Sequence, residues 1–292
     1  MDNICKNWTQ WLKETRFSYM TEEQKSQTLN WLIAIRNILI ERAGIQKGDK
    51  IIDLGCGTGL MGFGVLEKFK DEVEIIFSDK FEDCIKECSE FLEKLNIPHN
   101  ASFLQSDCAD IKLPDNSIDK AFMRSVLVHI VDKQPAISEV YRILKHGGSF
   151  NVFEPVIASN TRYHELVDPS KIDDYEEFKK VEDAFMSDSN NSLVNFDQNT
   201  LLQMLENAGF EDGSVDVDTT ASKYFADRQT IEKWFIGKPS PSEKSMKERF
   251  MDYFPEEKVN KFIEQYALAL QNTEVEIKTN TVIIKAIKWV KF

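Results

Sequence analysis

Glycines, carboxylates and one histidine are the residues whose types and spacing could do chemistry here, and most fall between Asp53 and Glu154. Asp53-Leu54-Gly55-Cys56-Gly57-Thr58-Gly59 follows a short apolar run and leads into the helix-like stretch Leu60 to Phe69. That is the strand–loop–helix pattern of a nucleotide-type ligand site, where glycines let the main chain come close to a ligand. The next apolar run, Val73 to Ser78, ends on Asp79, the spacing at which a second parallel strand sets an acid over a ribose. Asp107 and Asp110 are two carboxylates close enough in sequence to pair as general acid and base. Arg124-Ser125-Val126-Leu127-Val128-His129 closes a predicted fourth strand, at the edge where doubly wound sheets put their ligands. There Arg124 could hold a carboxylate, and His129 could take a proton from an acceptor oxygen, nitrogen or carbon. The plainer role for His129 is a hydrogen-bonded structural histidine. Glu154 and Tyr163, just past a predicted fifth strand, would lie near an acceptor, or else simply cap the strand and pack.

The charge of the ligand separates two readings of the loop, because Gly57-x-Gly59-x-x-Gly62 also satisfies the dinucleotide fingerprint. A dinucleotide would bring an anionic pyrophosphate toward Asp53. S-adenosylmethionine brings a sulfonium and an ammonium, which a carboxylate attracts, so the methyl donor is favoured. No metal is expected: Cys84 and Cys88 could share a soft ion, but two small residues on one packed helix face account for their spacing.

Taken in order, Asp53 to Gly59, Asp79, Ser106 to Asp110 with Leu113-Pro114, Ala121 to His129, and Arg142-Ile143-Leu144-Lys145-His146-Gly147-Gly148 resemble the class I S-adenosylmethionine-dependent methyltransferases. The resemblance is strong over about residues 45 to 157 and thins outside them. It implies that Asp79 takes the ribose hydroxyls and that the loop with Gly55, Cys56, Gly57 and Gly59 passes under the methionine part. It also implies that Asp107 receives the adenine amino group beside the main chain of Cys108, so a binding role is favoured for Asp107 over an acid–base pair. Lys80 or Phe81 would flank the adenine; Lys80 departs from the apolar residue often found in the family. In the family an N-terminal segment often folds over the cofactor, which makes Arg16 and Tyr19 candidate carboxylate contacts. Two function classes follow: a methyltransferase acting on a small-molecule or peptide acceptor, and a non-catalytic S-adenosylmethionine-binding regulator or partner subunit on the same fold.

The elements that must position these residues read as an α/β protein with a doubly wound, mostly parallel seven-stranded Rossmann-like sheet. Strands at Lys50 to Leu54, Val73 to Asp79, Ala101 to Gln105, Asp119 to Arg124 and Ser149 to Glu154 alternate with helical patterns. Lys278 to Trp289 reads as a closing strand of period two, and Thr200 to Ala208 as a helix returning to the sheet near Val215 and Val217. Thr21 and Gln24 suggest a capping box that opens an N-terminal helix ended by Gly44. The expected organisation is a helical cap over 1–44, a donor-binding core over 45–157, and a remainder over 158–292 with helical lid insertions at about 161–195 and 224–271. The lids are expected to carry the acceptor site, with Tyr224, Phe225, Trp234, Phe235, Phe250, Tyr253 and Phe254 as its wall, or alternatively as a satellite core or a homodimer contact.

A formal net charge of -13 disfavours an enzyme that tracks polyanions, so no nucleic-acid partner is expected. No apolar run is long enough for a membrane span, no signal segment opens the chain, and the expected compartment is the cytoplasm. The 5 cysteines are odd in number and suggest free thiols rather than a disulfide framework.

Overall fold

A computed structural model describes residues 4–14, 22–95, 97–238 and 243–289. The elements run α1 (Ile4–Glu14), α2 (Glu22–Ala43), β1 (Lys50–Leu54), α3 (Leu60–Phe69), β2 (Glu74–Asp79), α4 (Glu82–Leu95), β3 (Asn100–Gln105) and β4 (Ile118–Arg124). Then come α5 (Gln134–Ile143), β5 (Leu144–Pro155), α6 (Tyr175–Met186), α7 (Gln198–Ala208) and β6 (Asp212–Ala226), and finally α8 (Arg228–Ile236), α9 (Met246–Met251), α10 (Glu256–Leu270) and β7 (Thr273–Ile287).

The sheet order is β3-β2-β1-β4-β5-β7-β6. β1 pairs in parallel with β2 and β4, β2 with β3, and β4 with β5. β7 runs against β5: Gly147 donates to the Lys288 carbonyl, and farther along Val156 donates to that of Asn280. The central strands are apolar on both faces because helices cover both, and β1 is buried from Ile51 to Leu54. Chain order reverses between β1 and β4, so the carboxyl ends of β1, β2 and β4 frame a crevice of the kind in which open α/β sheets bind ligands.

The chain divides into two compact units. The first comprises Met1–Glu154, Gln198–Val217 and Val282–Phe292; the second comprises Pro155–Asp197 and Asp218–Thr281. In the first, the rings of Trp11, Phe91, Phe63 and Phe77 follow one another at centroid spacings of about 5 Å, tying α1, α3 and α4 to the sheet. In the second, Phe178 stacks on Phe262 at 3.8 Å, and Phe235, Phe250 and Tyr266 close a separate apolar core.

Several expectations shift. The stretch holding Trp8 and Trp11 is a helix of its own, α1. Strand β7 starts five residues before the expected Lys278, at Thr273. Tyr224 and Phe225 belong to β6 rather than to a helix, because the strand continues to Ala226; their side chains lie outside the described residues. Thr21, Arg16 and Tyr19 also lie outside the described residues.

Candidate functional site

The glycine loop leaves β1 under the control of two buried carboxylates. Asp53, 3% exposed, accepts the Gly62 amide at 2.9 Å, so it sits beneath the first turn of α3. A carboxylate at a helix N-terminus meets unsatisfied N–H groups and the positive end of the dipole. Burial nevertheless pushes the Asp53 carboxyl up to about 7, against the lowering effect of that amide. Asp79, at the end of β2, accepts the Gly57 amide on Oδ2 and the Phe81 amide on Oδ1, both at 3.0 Å. Each carboxylate oxygen has two acceptor positions, so capacity remains for hydroxyl donors.

Gly57 has φ +50°, and a Cβ built on it meets nothing within 4 Å. Its backbone therefore faces open space in a conformation that side chains rarely adopt. Gly55, at φ +65°, is different: a Cβ there would come within 2.6 Å of Val126, so the loop after β4 lies close beside it. The far side of the loop is held from two directions. Cys88 donates its thiol to the Gly57 carbonyl at 3.3 Å, and Trp8, 1% exposed, donates its indole N–H to the Thr58 carbonyl at 2.9 Å. Cys56 is buried, and its thiol is pushed far up, chiefly by hydrogen bonding with Cys88 and by burial.

Beyond β2, Lys80 and Phe81 are exposed, and the Lys80 ammonium lies 5.0 Å from the Phe81 ring centre. Phe81 is 60% exposed, which for an aromatic ring beside a buried carboxylate leaves a free stacking face. The Ser106 amide bonds the Asp79 carbonyl at 3.0 Å, joining the 106–110 turn to the end of β2. In that turn Asp107 is exposed and accepts the Ala109 amide, whereas Asp110 is paired with Lys112. The two acids therefore do not share a proton site. Cys108 is raised to about 12 by burial first and by the charge of Asp107 next.

At the end of β4 the chain turns sharply through Ser125, whose φ is +54°. A non-glycine residue there carries local strain of order 1 kcal/mol, which the surroundings must offset. The offset is visible in Glu154. This fully buried carboxylate accepts the amides of Val126 and Leu127 at 2.8 Å and of Val128 at 3.1 Å. Burial pushes it up to about 7 despite those three donors and the nearby Arg124. Lys133, also buried, donates its ammonium to the Ile130 carbonyl at 2.8 Å and is lowered to about 8 by burial. Two buried groups of opposite sign thus hold the 126–130 segment from within.

Arg124 lies 5.3 Å from the ring centre of Trp31 and 5.8 Å from that of Phe153, in cation–π range of both. Its Nε is buried and has no hydrogen-bond partner among the described residues. A guanidinium left partly unsatisfied beside a crevice is suited to an incoming carboxylate. His129 is exposed on the short 3₁₀ turn over Leu127–His129.

The structure therefore brings Asp53, Gly55, Cys56, Gly57, Gly59, Asp79, Asp107, Cys108, Arg124 and Ser125 to neighbouring strand ends of one unit. Trp8, Trp31 and Lys133 join them unforeseen. The period of Trp8, Trp11 and Leu12 was the one available signal for the first; nothing local marks the other two. Tyr163 belongs to the other unit, where it stacks at 6.1 Å on Trp234. Among the described residues no helix is long and apolar enough to cross a membrane, and no three metal-ligating side chains converge.

A family model described as "Methyltransferase domain" matches residues 45–209. Sterol 24-C-methyltransferase erg6 of Aspergillus fumigatus is 32% identical over 116 residues, covering 40% of this chain and 30% of that one. The ubiquinone/menaquinone biosynthesis C-methyltransferase UbiE of Photorhabdus laumondii is 25% identical over 186 residues, covering 60% of this chain and 72% of the relative. In structure, the Haemonchus contortus phosphoethanolamine N-methyltransferase 2 in complex with S-adenosyl-L-methionine superposes with a TM-score of 0.52 at 16% identity, over 97% of this chain and 60% of that one. With the family match spanning more than half of its length and the sheet order found here, the chain belongs to the methyltransferase-domain family and is an α/β enzyme of the class I methyltransferase fold.

Proposed function

We propose that the enzyme transfers the methyl group of S-adenosylmethionine to a small-molecule acceptor by direct displacement. The observation that carries this reading is the pairing of open space over Gly57 with Asp79, whose carboxylate bonds the Gly57 amide and keeps acceptor capacity. When bound, S-adenosylmethionine supplies a methyl carbon activated by its sulfonium, and charge disperses as that carbon moves.

The chain's own residues then bind and orient. Asp79 takes the ribose hydroxyls, and the exposed ring of Phe81 offers a stacking face to the adenine, with Asp107 on its amino group. The Gly55 to Gly59 loop passes under the methionine part. Arg124, with a buried and unsatisfied Nε, pairs with a carboxylate. Asp53 acts through the Gly62 amide on the loop, and Glu154 acts through the 126–128 amides on the turn that carries His129, so both are positioning residues. His129 removes a proton where the acceptor needs to lose one. The segments of the second unit are proposed to choose the acceptor, as the domain reading of the sequence expects.

Calorimetric titration with S-adenosylmethionine and with NADH tests the donor. Saturable binding of the first and none of the second is expected; tighter NADH binding would return the loop to the dinucleotide reading. Incubation with a metabolite extract should release S-adenosylhomocysteine beyond the buffer control, and its absence would favour a regulator on the same fold. With the acceptor identified, His129→Gln should lower turnover by about 10²–10⁴ while donor affinity holds.

A further inference from the structure

The second unit contains a cavity of about 320 Å³ whose body is apolar, formed by Tyr163, Phe185, Met186, Leu193, Trp234 and Ile277. That volume is within the range of small-molecule sites. The charged groups on its wall are already paired inside the protein. Arg249 bonds Glu243 at 2.8 Å, Lys244 bonds Asp252 through both carboxylate oxygens, and Glu182 accepts two amides and the His164 ring. An ion entering this space would find no free countercharge, whereas an apolar body would find contact on several sides.

Asn160 and Thr161 also line a second space of about 380 Å³, which is polar and bounded by Arg162, Glu165, Lys278 and Asn280. Here the balance is reversed. Among the described residues Nη1 of Arg162 is buried with no hydrogen-bond partner, and its Nε makes a long ion pair with Asp183 at 3.8 Å, beyond hydrogen-bond reach. A buried guanidinium N–H without an acceptor is costly, and a ligand anion would remove that cost. Lys278 adds an exposed ammonium, while Glu165 has one carboxylate oxygen occupied by the Arg162 amide.

We infer that the two adjoining spaces form one ligand site for a small amphiphilic anion, with an apolar ring or branched body among the aromatic and methionine side chains and a single acidic group on Arg162. Naming that molecule as the methyl acceptor rests on the proposed function; the binding site itself does not.

The full chain is titrated by fluorescence with 1-anilinonaphthalene-8-sulfonate, which joins apolar rings to a sulfonate, and with the uncharged N-phenyl-1-naphthylamine. One saturable site is expected for each. Arg162→Gln should weaken the sulfonate by about tenfold or more and move the neutral probe by less than about twofold, the scale of losing one charge-assisted hydrogen bond. Met186→Trp and Ile277→Trp fill the apolar body from two different elements, α6 and β7, so the result does not hang on one variant's folding; either one that keeps its circular dichroism should exclude both probes. Unchanged probe binding in the filled variants, or equal effects of Arg162→Gln on the two probes, overturns the site. Calorimetry with S-adenosylmethionine on the unsubstituted protein separates the two claims. Probe binding without donor binding would sink the proposed function and leave this site standing, and the reverse would sink only the site.

Discussion

Glu154 in the first unit and Glu182 in the second are both buried carboxylates spent on main-chain amides, yet they are completed differently. Glu154 gathers three successive amides of the turn after β4 and, among the described residues, makes no ion pair. Glu182 gathers the amides of Tyr163 and His164 and then the Nδ1 of His164 at 2.8 Å, so a side chain of the same turn closes its shell. The first device fixes a backbone whose side chains stay available at a strand end. The second uses the side chain up, and the turn becomes a pin between α6 and the chain before it. Buried carboxylates of one type thus fix a turn at a strand end in one unit and pin a turn to a helix in the other, depending on what remains free once they are satisfied.

Removing Asp79 tests the side of this comparison that makes a site, with the largest expected effect. Asp79→Ala takes away both loop amides' acceptor and the proposed ribose contacts, two charge-assisted bonds worth about 1.5–3 kcal/mol each. Donor affinity in calorimetry should fall by about 10²-fold or more in a protein with unchanged circular dichroism. Full affinity would remove Asp79 from the site.

Glu154→Ala comes next, because it leaves three amides without an acceptor, those of Leu127 and Val128 in buried bonds and that of Val126 in a part-buried one. A loss of about 3 kcal/mol in urea unfolding is expected, more than for a surface substitution. A loss under about 0.5 kcal/mol would mean water reaches those amides and the turn does not depend on Glu154. A pH series sharpens the point. Asp53 and Glu154, both raised to about 7 by burial, hold a proton more tightly folded than unfolded. Their contribution is therefore present at acid pH and is lost as pH rises from the ordinary carboxyl range to about 7. Asp53→Asn and Glu154→Gln should each flatten the decline in melting temperature across pH 5 to 8, and curves parallel to the unsubstituted protein would contradict the assignment.

The smallest effect belongs to Trp8→Phe, which keeps the ring packing and loses one hydrogen bond to the loop, about 1 kcal/mol. Donor binding should weaken only a few-fold. An abrupt loss would make α1 part of the binding surface itself.

The sequence was most legible where function depends on main-chain conformation. Glycines at Gly55, Gly57 and Gly59 and an acid at the end of the next strand announce themselves within a short stretch, and β1 falls on the residues expected. Legibility failed where partners are brought together by topology. Glu154 lies 26 to 28 residues from the amides it accepts, and no local pattern ties it to them. Trp8 lies 50 residues from Thr58. The aromatics expected as a pocket wall are divided by packing: Phe235 and Phe250 are fully buried in the core of the second unit, Tyr253 is 67% exposed, and Trp234 alone of those rings whose side chains are described lines the cavity. Composition could show that rings were abundant there, but the choice between core and wall depends on the angles at which α6, α8 and α10 meet.

The core of the second unit is assembled from two stretches separated by α7 and the start of β6, and this sets an order of events during synthesis. Tyr266 donates its hydroxyl to the carbonyl of Tyr163, 103 residues earlier, and Phe178 waits for Phe262 to stack. Strands β1 to β5 are all present once Pro155 has emerged. The segment from Pro155 to Asp197 must leave the ribosome with Val167, Phe178 and Val181 still uncovered, because their partners near Phe262 have not been made. Contacts of such long sequence separation close slowly, and the apolar surface stays exposed for that interval. Over that interval the charged residues of α6, Glu176, Glu177 and Asp183 among them, interrupt its apolar face, the placement that opposes aggregation of an exposed segment.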